Sequence, residues 1–119
     1  MRAVRKFKTG ATRDTEIGKN NYAGALSPLV TRAFGDYMTK HREQSDGSLR
    51  ADDNWKKGMT LDSYMESGWR HFLDWWLEHD GYESRDGLED ALCGLLFNVQ
   101  GYLHEHLKEK LYKTKRANK

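Results

Sequence analysis

Cysteine, proline and long apolar runs are scarce in this chain of 119 residues. Its one cysteine, Cys93, excludes an internal disulfide and a zinc site built on cysteines. A single proline and an aromatic content of 12% argue against disorder over most of the chain. No stretch reaches the roughly 18 consecutive apolar residues of a membrane span, and no apolar run follows the basic start, which excludes a secretory signal. We therefore predict a single-domain, cytoplasmic protein that does not associate with membranes.

Charge of one sign is concentrated at the two ends of the sequence. The net charge of +2 divides into +4 over residues 1–20, −7 over residues 21–105 and +5 over residues 106–119. The basic ends are typical either of solvated tails or of segments that hold phosphate groups. Because a DNA-binding protein usually carries its positive charge on the folded body, the acidic middle makes nucleic acid an unlikely partner.

Helix signals predict an all-α fold, a small bundle of about three main helices. The serine-proline pair at 27–28 is typical of a helix start, and apolar residues at helical spacing continue to about Lys40. Residues 41–58 are polar and contain the turn signal Asp46-Gly47. A loop of this length in a compact domain is usually functional or mobile.

Two longer helices follow this loop. The second begins after Thr60, carries a broad apolar face and stops at Gly81. The third begins at Asp86 and carries a leucine stripe that extends as far as Leu111.

The helix positions divide the chain into an extended basic arm (1–26), a helical domain (27–111) and a basic tail (112–119). Three helices make a thin core for this length. Gly94 and Gly101 lie seven residues apart on one helix face, where missing side chains would let a second backbone approach. Three tryptophans also spread around more of the second helix than one buried stripe covers. We therefore expect a homo-oligomer that completes the core.

The acidic face of the second helix predicts a metal site. No P-loop, Rossmann glycine signature, nucleophile elbow or HExxH motif is present. Asp74 and Glu78 share a helix face with His71, beside Arg70. Glu89 or Asp90 could reach them from the third helix, and Asp90 is the residue that we predict as a ligand. Carboxylates of this kind bind Mg²⁺ or Mn²⁺ together with substrate phosphates, while Arg70 and His71 would contact those phosphates. The alternative is an ordinary solvated acidic face.

An aromatic residue flanked by lysines in a polar loop is the second candidate for chemistry. In Asn54-Trp55-Lys56-Lys57-Gly58 the tryptophan could stack on a base or sugar while a lysine reaches phosphate. Asn54, Trp55 and Lys57 are therefore candidate nucleotide-binding residues. The alternative is a tryptophan that folds back to anchor the loop on the helices. Lys19 and Tyr22 in the arm offer a similar pair of cation and ring.

Four motifs occur in a recognisable order between residues 10 and 105. They are Gly18-Lys19 with Tyr22, Asn54 to Gly58, Ser67 with Arg70-His71, and Asn98 on the following helix. In this order and spacing the chain resembles the small N-terminal domain of phage dATP/dGTP diphosphohydrolases, a domain that also occurs as a separate phage protein. It is more distantly similar to the all-α pyrophosphohydrolases of MazG type, although the E-x-x-E motif of that group is absent here.

The resemblance implies a viral helical protein that acts on purine deoxynucleotides in the host cytoplasm. In that family dATP or dGTP is split to monophosphate and pyrophosphate with Mg²⁺ or Mn²⁺. The sequence leaves hydrolysis open, and two non-catalytic alternatives remain. The protein could be a phage anti-defence protein that sequesters a nucleotide signal, or one that blocks a host defence protein.

Overall fold

Three long helices dominate the structure, a computed structural model that describes residues 4–14 and 18–117. This confirms the predicted all-α bundle, to which a small two-stranded sheet is added. In chain order the elements are β1 (Val4–Lys6), β2 (Thr12–Asp14), α1 (Tyr22–Ala25), α2 (Pro28–Lys40), a 3₁₀ turn (Asn54–Lys57), α3 (Leu61–His79) and α4 (Leu88–Ala117).

The starts of α2 and α3 lie where their capping residues predict them. The Val30 N–H donates to Ser27 Oγ at 3.2 Å, and Pro28 occupies the first helical position. The Ser63 N–H donates to Thr60 Oγ1 at 3.1 Å. Each hydroxyl satisfies one of the backbone donors that a helix N-terminus leaves without an intrahelical partner.

Glycine sets the turn between α3 and α4. Gly81 has φ +89°, and the Tyr82 N–H donates to the Leu77 carbonyl at 2.8 Å, which makes a Schellman cap at the predicted stop. Gly87 has φ +90°, so it cannot be helical and α4 begins at Leu88. The predicted start at Asp86 was therefore two residues early.

The N-terminal arm is folded rather than simply extended. β1 pairs antiparallel with β2, and Val4 lies opposite Asp14. Gly10, with φ +90°, allows the connecting turn, and its N–H donates to the Phe7 carbonyl at 2.9 Å. The sequence interpretation missed this hairpin because neither strand has an apolar face. Residues 1–3 and 15–17 of the predicted arm, and 118–119 of the predicted tail, lie outside the described residues.

Helix α4 runs further than the leucine stripe that signalled it. It continues to Ala117, six residues beyond Leu111, through the segment that the sequence indicated as a basic tail. An ion pair between Lys113 and Glu109, one helical turn apart at 3.1 Å, supports this extension. Helical order thus persists where the apolar periodicity ends.

Close contact between α3 and α4 depends on two glycines. A Cβ on Gly94 would overlap the His71 ring, and a Cβ on Gly101 would overlap the Tyr64 ring. The expectation that these glycines face the backbone of a second copy was wrong, because side chains of α3 in the same chain occupy that space. The two glycines allow the antiparallel pair α3–α4 to form.

The hydrophobic core of the single chain is small. Only four apolar residues are buried among those described: Tyr37, Tyr64, Ala91 and Cys93. Burial is the main cause that raises the pKa of the Cys93 thiol, so this residue behaves as a core side chain. None of the described helices is long and apolar enough to cross a membrane.

Candidate functional site

A cleft of about 230 Å³ opens where the end of α2, the loop that follows it, α3 and α4 meet. It brings together residues that are far apart in the sequence, from position 37 to position 98. Most of the lining side chains bear nitrogen or are aromatic: Tyr37, His41, Arg42, Arg50, Asn54, Trp55, His71, Phe97 and Asn98. The others are Met38, Ala51, Asp52, Met59 and Ser67. Such a set can contact both an anion and an aromatic ring.

Two arginines of the cleft are held side by side by a small loop, residues 42–50. The Arg50 N–H donates to the Arg42 carbonyl, and Arg42 Nε donates to the Arg50 carbonyl, both at 2.9 Å. The loop turns at Asp46-Gly47, as the sequence predicts, because Asp46 Oδ1 accepts the Ser48 N–H at 2.9 Å and Gly47 takes φ +85°. The two cationic side chains therefore emerge from one fixed base.

Arg42 also pairs with a carboxylate at the rim of the cleft. Its Nε lies 3.2 Å from Asp52 Oδ1, and the Asp52 side chain is 80% exposed. A surface ion pair of this kind is worth only about 0–1 kcal/mol. An anionic ligand could therefore compete for the Arg42 guanidinium, which carries five N–H donors.

Trp55 both anchors the 3₁₀ turn and forms a wall of the cleft. Its ring meets His104 edge-on at a centroid distance of 4.9 Å and Phe97 at 6.2 Å. Lys56 Nζ lies 5.8 Å from the centroid of the same ring. Both interpretations of the loop tryptophan thus describe part of its environment, because it packs on α4 and still lines the cleft.

His71 enters the cleft from the opposite wall, on α3. Its ring packs against the Gly94 backbone, and the residue is half-buried. Burial is the largest cause that lowers the pKa of His71 below 6.5, followed by the positive charge of Arg85. At neutral pH the ring is uncharged and can act as both a donor and an acceptor of hydrogen bonds.

Asn98 fixes the floor of the cleft. Its side-chain amide donates to the Gly94 carbonyl at 2.7 Å and to Ser67 Oγ at 3.2 Å, and the residue is only 4% exposed. A buried amide held by two acceptors has little freedom to rotate. Ser67, Gly94 and Asn98 therefore hold α3 and α4 in the register that positions His71.

The lowered pKa of His71 predicts that acid weakens the fold. Protonation of His71 costs more free energy in the folded chain than in the unfolded chain. The unfolded chain therefore binds more protons at mildly acidic pH. The contribution of the neutral His71 ring to the free energy of unfolding is fully present above about pH 6.5, and it is lost as the pH falls below that value. Thermal unfolding should therefore begin at a lower temperature at about pH 5.5 than at about pH 7.5.

The substitution His71→Gln should flatten this pH dependence, which circular dichroism can follow. His79, at the exposed end of α3, gives the matched control His79→Gln, which should retain the wild-type pH dependence. Equal pH profiles for wild type and His71→Gln would contradict the assignment to His71.

Three of the seven predicted nucleotide-binding residues line the cleft: Asn54, Trp55 and His71. The other four do not belong to its lining. Lys57 and Arg70 are exposed neighbours of cleft residues, and Lys19 and Tyr22 lie in the arm. The Asn20 side-chain amide donates to the Tyr22 hydroxyl at 3.2 Å. The loop that carries Trp55 and the helix α3 therefore line the same cleft, whereas Lys19 and Tyr22 do not belong to its lining.

Each of the three predicted metal ligands is engaged with another protein group. Asp74 is buried and accepts hydrogen bonds from two nitrogens of Arg85, at 2.6 Å from Nη2 and 3.0 Å from Nε. Glu78 Oε1 accepts from the Ser84 N–H and hydroxyl at 3.0 and 2.8 Å, which ties the α3–α4 turn to α3. Asp90 pairs with Lys40 of α2 at 2.6 Å.

These three carboxylates do not form a common ligand set. Within residues 4–14 and 18–117, no group of three histidine, cysteine or acidic side chains is arranged to hold a metal ion. Binding of Mg²⁺ or Mn²⁺ stays a prediction. In the folded chain the acidic face of α3 ties the helices and the connecting turn together.

The sequence interpretation missed several cleft residues, above all Arg42 and Arg50. They lie eight positions apart in a polar loop, and neither helical nor strand spacing connects them. Their proximity results from the turn at Asp46-Gly47, the one signal that could have indicated it. Tyr37 and His41, whose rings lie 4.2 Å apart at the end of α2, resemble ordinary helix residues in the sequence.

The chain matches no family model, no curated protein and no solved structure.

Proposed function

We propose that this protein binds a nucleotide in the cleft, with the phosphates on the arginine side and the base against the aromatic wall. The observation that carries the proposal is that Trp55 and His71, singled out separately in the sequence, line one cleft together with Arg42 and Arg50. Guanidinium groups suit phosphate because they offer several donors in a planar fork. An indole ring offers a face on which any base can stack.

The size of the cleft supports a single nucleotide rather than a longer oligonucleotide. Its volume of about 230 Å³ is below the roughly 300–1,000 Å³ of pockets that enclose drug-sized ligands. One part of a nucleotide would therefore remain exposed. The arginine pair stands at the mouth, where Arg50 is exposed, so the charged end of the ligand can stay in contact with water.

A purine deoxynucleotide is the ligand that the family resemblance favours. In those diphosphohydrolases the triphosphate is split to monophosphate and pyrophosphate with a divalent metal ion. Retention of an intact nucleotide, as sequestration of a defence signal requires, is the other form of the proposal. Incubation with dGTP and with dATP, each with and without Mg²⁺, followed by chromatography, separates the two: a monophosphate product indicates hydrolysis, and intact ligand indicates binding alone.

Calorimetric titration of the whole chain with dATP, dGTP, ATP and GTP tests the binding itself. Because a hydrogen bond to a charged group is worth about 1.5–3 kcal/mol, Arg50→Ala should weaken nucleotide binding at least about tenfold. Trp55→Phe, which keeps a ring for the contacts with Phe97 and His104, should weaken it less.

Two exposed residues outside the cleft provide matched controls. Arg32→Ala on α2 and Trp69→Phe on α3 should leave the nucleotide affinity unchanged. Absence of binding for all four nucleotides at high micromolar concentration, or equal affinities for the Arg50→Ala and Arg32→Ala variants, would overturn the proposed function.

A further inference from the structure

The described helices leave a large apolar surface without a partner. The chain exposes 10,212 Å² of surface, whereas a compact monomer of 13.9 kDa exposes about 6,700 Å². Its radius of gyration is 19.9 Å, compared with about 13.5 Å for a compact domain of this length. The excess of about 3,500 Å² is therefore large enough to supply the roughly 1,000–2,500 Å² that one subunit buries in an obligate dimer.

Much of this apolar surface is one continuous face formed by α3 and α4. A groove of about 790 Å³ runs between the two helices on the side opposite the nucleotide cleft, and Asn98 lies between the two. Its walls are almost entirely apolar. They include Met65, Trp69 and Phe72 from α3, and Leu95, Val99, Tyr102 and Leu103 from α4. Trp69 is 63% exposed and Val99 is 56% exposed, which is unusual for side chains of this size.

The exposed stripe of α4 continues past the end of α3. Tyr64 lies over Gly101, so the first residue of α3 is level with about His104. The last 13 residues of α4, 105–117, project about 20 Å beyond it. Leu107 and Leu111 in this projection are 46% and 69% exposed. An isolated amphipathic helix of this length is marginal in water, and a packed neighbour would stabilise it.

The stripe is self-complementary when it is reversed. A second α4 laid antiparallel and centred between Val99 and Gln100 places leucine on leucine at each level. The matched pairs are Leu88 with Leu111, Leu92 with Leu107, and Leu96 with Leu103. These six leucines are 40–69% exposed. A twofold interface requires such a pattern. If residue i of one copy contacts residue j of the other, then residue j of the first copy must contact residue i of the second.

Charge follows the same symmetry. Residues 74–90 carry seven acidic side chains and one arginine, a net charge of −6, whereas residues 106–117 carry five basic side chains and one acidic, a net charge of +4. The antiparallel arrangement places the acidic end of one copy on the basic end of the other. It sets Glu89 opposite Lys110 and Asp86 opposite Lys113. A parallel arrangement would instead place like charges together.

We propose that a second copy of this chain docks on the α3–α4 face with the two α4 helices antiparallel, forming a four-helix core. The proposal does not depend on the proposed function, because the nucleotide cleft lies on the other side of Asn98. Each copy would bury apolar side chains of its partner that the small core of a single chain leaves exposed. We infer a second copy as the partner because an antiparallel α4 matches both the leucine spacing and the charge distribution of this α4.

Sedimentation velocity of the purified full chain, from low to high micromolar concentration, measures the assembly directly. We expect twice the chain mass of 13.9 kDa. Leu103→Glu, at the centre of the stripe, should shift the protein to monomer. The matched control Leu29→Glu alters a residue that is 70% exposed on α2, and it should leave the assembly unchanged.

A charge-reversal pair tests the orientation even if Leu103→Glu unfolds the chain. Glu89→Lys and Lys110→Glu should each weaken self-association about tenfold, because an attractive pair becomes repulsive twice in a symmetric dimer. An equimolar mixture of the two variants should recover the wild-type affinity, since both interchain pairs are then attractive.

Several outcomes would overturn this arrangement. They are a wild-type monomer at high micromolar concentration, an assembly that is indifferent to these charges, or a monomer whose groove copurifies with lipid or another protein, as native mass spectrometry would reveal.

Discussion

Gly94→Ala is expected to lower the free energy of unfolding by about 1–2 kcal/mol. The added methyl group would overlap the His71 ring, so the ring or the whole of α3 must move. Overpacking of this kind costs about 1–3 kcal/mol, and the higher helix propensity of alanine recovers up to about 1 kcal/mol. Urea-induced unfolding followed by circular dichroism measures the difference.

A second helical glycine provides the matched control for this substitution. Gly35 lies within α2, and a Cβ there would meet no atom within 4 Å. Gly35→Ala should therefore raise the free energy of unfolding by about 1 kcal/mol, the opposite sign. In the background of His71→Ala, Gly94→Ala should cost little, because the ring that it displaces is gone. A stabilising Gly94→Ala in the wild-type chain would contradict the packing described here.

Arg85→Ala is expected to destabilise the fold by about 2 kcal/mol. The Asp74 carboxylate is buried, with a side chain that is 8% exposed, and the Arg85 guanidinium is its partner through two nitrogens. Removing one member of a buried pair costs about 3–5 kcal/mol. The smaller value applies here because the Arg85 side chain is 55% exposed and water can replace part of its contact.

The double substitution Asp74→Asn with Arg85→Ala separates charge burial from simple loss of packing. It should be less destabilised than Arg85→Ala alone, since no ionised group is then left buried without a partner. Lys113→Ala is the surface control. It breaks a solvent-exposed pair with Glu109 and should change stability by less than about 0.5 kcal/mol. Equal losses for Arg85→Ala and Lys113→Ala would contradict the role given to Asp74.

Local signals made the helices predictable. Ser27, Thr60 and Gly81 each act on backbone groups within a few residues, so the sequence carries the whole interaction. The hairpin of the arm could not be predicted in this way, because its short strands have no apolar alternation. The continuation of α4 beyond Leu111 was missed for a related reason: no apolar stripe marks it, although an ion pair between Glu109 and Lys113 spans this part of the helix.

The candidate site was predictable only where one residue type is unusual in its place. Trp55 stands out because it is an aromatic residue among polar ones, and His71 because it lies beside the acidic face of α3. The partners of charged residues are set by tertiary packing, which periodicity does not encode. Thus Asp74, a predicted metal ligand, pairs with Arg85, a partner that the sequence did not indicate. Gly94 was expected to face a second copy and instead makes room for His71.

The most direct measurement of the central claim is a nuclear magnetic resonance titration that locates the nucleotide. The chain has four tryptophans, so its four indole N–H signals can be assigned by single replacements with phenylalanine. On addition of dGTP or dATP, we predict shifts of the Trp55 indole and the His71 ring, while Trp69, Trp75 and Trp76 stay in place. Unchanged Trp55 and His71 signals, with shifts confined to the other tryptophans or with none at all, would contradict a nucleotide site in this cleft.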